Sequence, residues 1–254
     1  MHLWMQITGR EVVQMNFKLE CKKMKRTGLI SAFLSGGVLA AIIPVVNMAV
    51  RAENYLGMDA SPVLILMDAN WQMMAMLNLL LVVAGGCLMY HTEYAENAMQ
   101  RMCTLPIKES KLFFSKTALM AILCAVVLLI EATGILFCTY RWFELSADIW
   151  IEIMQSFGYA MLLILPGVFG ALLIASMCKN MWVSLGIGII CVFTAILLPV
   201  KNFWLSLFPF AFPFQTFAGT ETNSIYKFML AAIIECLIIG LAEVLFIKIR
   251  RLMQ

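Results

Sequence analysis

The chain has 254 residues, 63% of them hydrophobic and 13% charged, with a mean hydropathy of +0.91 and a formal net charge of +3. A soluble domain carries about 45–50% apolar and about 25% charged residues, so a water-soluble globule is excluded, as is a disordered chain, which has too little apolar surface to bury. What remains is an all-α polytopic membrane protein, whose basic excess has to be read by its position relative to the bilayer before any nucleic-acid partner is considered.

Residues 1–27 are polar and basic and lack the short apolar core of a signal peptide; Met15 offers an alternative start. Within them Phe17, Leu19, Cys21 and Met24 alternate with Lys18, Lys22, Lys23, Lys25 and Arg26. Such a stretch either lies along the inner leaflet with its bases toward anionic headgroups or serves as a plain positive anchor. Six apolar runs follow, each near the length of about 20 residues that crosses a ~30 Å hydrocarbon core. They are Gly28–Val50, Trp71–Tyr90, Thr117–Tyr140, Phe157–Met177, Met181–Val200 and Phe228–Ile247. The fourth carries Pro166 and Gly167, a kink that a membrane helix tolerates. Only Cys178, Lys179 and Asn180 separate the fourth from the fifth, which predicts a tight antiparallel pair. The whole of 1–254 reads as a single membrane domain.

The bases divide unevenly between the two sides of this map. Arg10, Lys18, Lys22, Lys23, Lys25 and Arg26, then Arg101, Lys108, Lys111 and Lys116, then Lys179, then Lys248, Arg250 and Arg251 fall on one side, fourteen in all. Arg51, Arg141, Lys201 and Lys227 make only four on the other. The positive-inside rule therefore predicts a multi-pass plasma-membrane protein with both termini in the cytoplasm.

Two connections stand out. Residues 91–116 form the one sizeable cytoplasmic loop between spans. Ala95, Ala98, Met99 and Met102 share a face there, Glu93, Glu96, Asn97, Gln100 and Arg101 cover the rest, and Leu105 before Pro106 predicts the helix end. A polar-faced helix held between two spans suits a soluble partner, and a solvated connector is the plainer reading. Residues 201–227 crowd Phe203, Trp204, Phe208, Phe210, Phe212, Phe214 and Phe217 around Pro209 and Pro213. This segment is too apolar for water and too broken for a span, so it belongs at headgroup depth or back in the bundle against protein. As a receiving surface for an amphipathic peptide, it would act through Phe210 and Phe212; as a belt, it would only anchor.

Acids inside the spans are costly and therefore informative. At about 1.5 Å per residue, Glu131 lies roughly 22 Å from Lys116 and Glu235 roughly 20 Å from Lys248, both in the outer half. They are candidates to share a proton, to attract a cationic substrate, or to make interhelical hydrogen bonds as neutral acids. Glu243, about 8 Å from the inner boundary, is near enough to snorkel. No G-x-x-x-x-G-K-[ST] or H-E-x-x-H motif occurs, and His2 and His91 are far apart, so neither nucleotide binding, metal binding nor catalysis is expected of this chain. The eight cysteines include no C-x-x-C pair and read as small hydrophobes.

The stretch from Glu93 to Lys116, with Glu93, Glu96, Met99, Arg101, Met102, Leu105 and Pro106 in sequence, resembles the cytoplasmic loop of type-2 ABC exporter permeases. In that family an acid-initiated coupling helix precedes a Leu-Pro-Ile/Val segment and a Lys opening the third span. Lys108-Glu109-Ser110 departs from the commoner Ser-Arg. The resemblance implies that these residues dock on a separate ABC ATPase subunit, which would bind ATP and Mg, and that the six-span permease pairs with a second permease subunit or with itself. Ser61-Pro62, Asn70-Trp71 and the run Phe208–Phe214 are similar to permeases of lantibiotic self-protection transporters. That narrower likeness implies a Gram-positive host and an amphipathic peptide substrate taken from the bilayer; the candidates for its pathway are Trp71 at the outer mouth, the acids Glu131 and Glu235, and the rings of Phe210 and Phe212. A multidrug or bacitracin-type exporter, and a non-transporting scaffold or sensor subunit, are the alternatives.

Overall fold

The computed structural model describes residues 23, 24, 27–94, 109–143, 148–198, 203–217 and 222–252. Helices α1 (Leu29–Arg51), α2 (Pro62–Tyr94), α3 (Glu109–Trp142), α4 (Ile149–Met177), α5 (Met181–Leu197), the one-turn α6 (Phe203–Ser206) and α7 (Thr222–Leu252) follow in order. Among the described residues there is no strand. Five helices are long and apolar enough to cross a membrane: Leu29–Asn54, Pro62–Tyr94, Leu112–Trp142, Ile149–Met177 and Ser224–Ile249. The expected fifth span is the shorter apolar helix α5, whose 17 residues rise about 26 Å. Leu198 leaves the helix in an extended conformation because Pro199 follows it, which is why α5 stops short of Val200.

Helices α2, α3, α4 and α7 exceed the apolar runs that announce them. The N-terminal end of α2 lies nine residues before Trp71, at Pro62, where Ser61 Oγ accepts from the Leu64 N–H at 3.4 Å and proline fits the first helical position. Asp68 and Asn70 interrupt the apolar run there, yet the backbone continues, since Asp68 faces out and Asn70 is satisfied inside the bundle. Helix α1 begins after Gly28, whose φ of 72° is a left-handed value that glycine adopts without strain. Pro44 in α1 and Pro166 in α4 both remain within continuous helix.

Helix α2 is the centre of the bundle, packed by α1, α3, α4 and α5. Helices α4 and α5 are joined by the three residues expected, and Asn180 caps α5 by accepting from the Trp182 N–H at 3.0 Å. Yet α5 packs chiefly on α2 and less on α4, a correction to the expected antiparallel pair. Its small residues explain the choice: Gly188 meets Val83, and Cys87 Sγ donates to Ser184 Oγ at 3.3 Å. Helices α1 and α3 approach closely at Gly134, where an added Cβ would come within 2.6 Å of the Ala41 carbonyl oxygen. Backbone cannot give way as a flexible side chain can, so Gly134→Leu is expected to part these helices. The variant should lose most of its monodisperse peak after detergent extraction, while Gly158→Leu, at a position with open space around it, should not.

Candidate functional site

Three regions of the described bundle stand out. The first is a groove of about 570 Å³ between α1 and the N-terminal part of α2. Ile42, Val46, Val50 and Met73 form its apolar lips, all at least two-fifths exposed, and Asn47, Arg51, Tyr55 and Asn70 supply its polar side. Asn47 Nδ2 donates to Asn70 Oδ1 at 2.8 Å and to the Tyr55 hydroxyl oxygen at 3.1 Å, and Asn70 Nδ2 donates to the Leu66 carbonyl at 2.8 Å. The Tyr55 O–H and the Arg51 guanidinium are thus presented at the same place as an apolar wall. That combination receives a ligand with an apolar body and a polar or hydrogen-bonding end.

The second region lies at the opposite end, where the 95–108 connection leaves and rejoins the bundle. Glu93 is in the last turn of α2 and Lys116 is two turns into α3; both are buried, and Lys116 Nζ donates to Glu93 Oε1 at 2.6 Å. Lys23 Nζ reaches the same oxygen at 3.4 Å, and the Lys116 ammonium lies 5.1 Å from the Tyr90 ring centroid. Beside this cluster the Tyr94 hydroxyl donates to the Ser176 carbonyl, and Ser176 Oγ donates to Glu243 Oε2 at 2.9 Å. Polar contacts therefore link the chain at Lys23 with α2 and α3, and α2 with α4 and α7.

The third is the aromatic segment. Phe210 and Phe212 are buried, Phe210 against Gly170 of α4 and Phe212 edge-on to Phe228 of α7 with ring centroids 6.5 Å apart. Trp71 Nε1 donates to the Pro213 carbonyl at 2.7 Å, and Gln215 Nε2 donates to Ser206 Oγ at 3.0 Å across the limbs of the segment. Pro209 sits against Gly167 and Gly170, about 15 Å or less of helix from Met177, so the segment re-enters deeply from the end at which α5 finishes. Irregular backbone at that depth is tolerated because protein surrounds it.

These placements redistribute the residues named from sequence. Glu93, expected on the coupling helix, closes α2 and turns its carboxylate inward onto Lys116, because burial at the helix junction demands a charged partner. Glu96, Met99, Arg101, Met102, Leu105 and Pro106 lie outside the described residues. Trp71 holds the aromatic segment through the Pro213 carbonyl, while Phe210 and Phe212 are buried in separate hydrophobic clusters, so these residues form a sealed tether and not an open surface. Glu131 is fully buried and accepts from Asn78 Nδ2 of α2 at 3.2 Å; no hydrogen bond or ion pair joins it to Glu235 among the described residues. Glu235 is half-buried on α7. Sequence reasoning passed over Asn47, Tyr55 and Asn78; the asparagines carry the signal that would have found them, a polar side chain inside an apolar run. Among the described residues no group of three or more His, Cys, Asp and Glu is placed to hold a metal ion.

A family model described as ABC-2 family transporter protein matches residues 16–195, which include α1 to α4 and most of α5. No curated protein and no solved structure matches the chain.

Proposed function

The chain belongs to the ABC-2 transporter family, the membrane permeases of ABC exporters, and from that premise we propose that it removes amphipathic peptides of the lantibiotic class from the membrane. The family implies an ABC ATPase partner, and the hydrolysis of ATP, with its Mg, resides in that subunit rather than in this chain. The single observation that supports the substrate class is the α1–α2 groove, where Asn47, Tyr55 and Arg51 stand beside Val46 and Val50. An amphipathic helix or turn would lay its apolar face on α1 and its polar face on the asparagine pair.

In this reading the 95–108 end faces the cytoplasm, which the fourteen-to-four distribution of bases supports, and α5 with the re-entrant segment completes a sixth crossing. The ATPase docks on the connection carrying Glu96, Met99, Arg101, Met102, Leu105 and Pro106. The Glu93–Lys116 pair fastens both stems of that connection, so a push on it moves α2 and α3 together. A second permease, different or identical, covers the exposed faces of α1 and α5. The buried segment holding Phe210 and Phe212, tied to Trp71 of α2, supports the wall of the pathway, and Glu235 lies along it.

The test is protection of a sensitive Gram-positive host by this chain with its ATPase, scored against a lantibiotic, bacitracin and small drugs. Asn47→Leu with Asn70→Leu is expected to reduce lantibiotic protection at least about tenfold, which corresponds to about 1.4 kcal/mol of lost recognition, at equal membrane abundance. Protection against bacitracin or drugs alone would replace the peptide reading with the broader efflux one. Unchanged protection when the ATPase is inactivated would leave a non-transporting scaffold or sensor.

A further inference from the structure

Glu131 of α3 has no solvent exposure, and its Oε2 accepts a single hydrogen bond, from Asn78 Nδ2 of α2 at 3.2 Å. Its other oxygen, Oε1, and the Asn78 Oδ1 are both buried and without a partner. Two acceptors thus lie on the same pair of side chains with no donor between them. The surroundings explain why nothing else reaches in. Helix α1 closes over α3 on both sides of Glu131: an added Cβ at Gly37 would touch Val127 at 3.4 Å, and one at Gly134 would meet Ala41. Among the described residues no cation pairs with Glu131; the titratable neighbour in electrostatic reach is Cys124, two turns along the same helix, which brings no positive charge.

A bare carboxylate with one hydrogen bond and no counter-charge is not sustained in such a place. A hard cation would need six or more oxygen ligands, and the pair offers only its own oxygens. One proton supplies both the missing charge and the missing donor. We propose that Glu131 and Asn78 form a proton-binding pair, in which Glu131 is a carboxylic acid whose Oε1–H donates to Asn78 Oδ1 while Asn78 Nδ2 donates to Oε2. The two hydrogen bonds close a ring between acid and amide, using each group as donor once and acceptor once. The carboxyl is then a neutral clamp between the two helices that carry Glu93 and Lys116, rather than a fixed charge that attracts cationic substrates. Opening the clamp would strand one buried donor and one buried acceptor on each helix, so α2 and α3 move as one body.

Infrared difference spectra of the purified permease in lipid nanodiscs test this directly. Subtracting Glu131→Gln from wild type at neutral pH is expected to remove a carbonyl-stretch band of a protonated, hydrogen-bonded carboxylic acid. Loss of carboxylate stretching bands instead would overturn the proposal, whether water or an ion fills the gap. Glutamine preserves a reciprocal amide pair with Asn78 and so should fold. Should it not, Asn78→Leu in protein with carboxyl-labelled glutamate gives a second reading. There the acid band should shift to the position of an unpartnered acid, and an unmoved band would overturn the pairing.

Discussion

Truncating Glu93 to Ala while Lys116 remains is expected to destabilise the permease by about 3–5 kcal/mol, because it removes the carboxylate that a buried ammonium bonds at 2.6 Å. Lys116 is 1% exposed and its Nζ lies 2.6 Å from the Glu93 carboxylate, so the contact that is lost is a buried one. The cation–π contact with Tyr90 at 5.1 Å offsets only a part of the loss. Replacing both members, Glu93→Leu with Lys116→Met, should recover most of the stability, since two apolar side chains of similar size need no counter-charge. Thermal unfolding of the detergent-solubilised chain, read by retention of the monodisperse peak, checks both results. A single Glu93→Ala variant as stable as wild type would mean that the junction is hydrated. If the pair also fastens the stems of the coupling connection, the double variant will fold and yet show weakened stimulation of the partner ATPase by substrate.

The second large effect is expected at Phe212. Its side chain is fully buried among Tyr159, Leu163, Ile225, Phe228 and Ala232, so Phe212→Ala should cost about 3–5 kcal/mol through the cavity left behind. The loss should be greater than for Trp204→Ala, whose ring is 79% exposed and faces outward from the same segment. Trp71→Phe should give a smaller loss, because it removes only the hydrogen bond to the Pro213 carbonyl and keeps most of the packing against Phe157. Cysteine-scanning accessibility along 203–217 distinguishes the outcomes. Protection of Phe210, Phe212 and Phe214 positions with labelling at Trp204 matches a re-entrant segment, and uniform labelling would place the run at the membrane surface.

Much of the fold is legible in the sequence because a bilayer allows few solutions. Apolar runs of span length must be helices, since every backbone group has to be satisfied within the segment. What sequence periodicity could not show was where each helix really begins. Asp68 and Asn70 look like the end of an apolar run, and become part of α2 because one faces out and the other is hydrogen-bonded to Asn47 and to Leu66. The aromatic residues at 203–217 were recognisable as unfit for water, but only packing against Gly167, Gly170 and Trp71 placed them inside the bundle.

The candidate site divides in the same way. Glu131 stood out from sequence because a carboxyl in an apolar run is rare, whereas its partner Asn78, 53 positions away, is brought to it only by the contact of α2 with α3. The family resemblance leaves either Glu93 or Glu96 to open the coupling helix; the continuation of α2 through Tyr94 turns Glu93 onto Lys116 instead. The groove at Asn47 and Asn70 carries no motif at all, since its two walls are separate helices whose polar residues meet in space and not in sequence.

By itself, then, the amino-acid sequence determined the solvent this protein folds in, its helical class and the uneven distribution of its bases, because hydropathy and charge act locally, residue by residue. The tertiary structure alone decided which polar groups are paired, which aromatic rings are sealed and where a ligand-sized groove opens. Those are properties of side chains far apart in the chain that come within a few ångströms only when the helices pack.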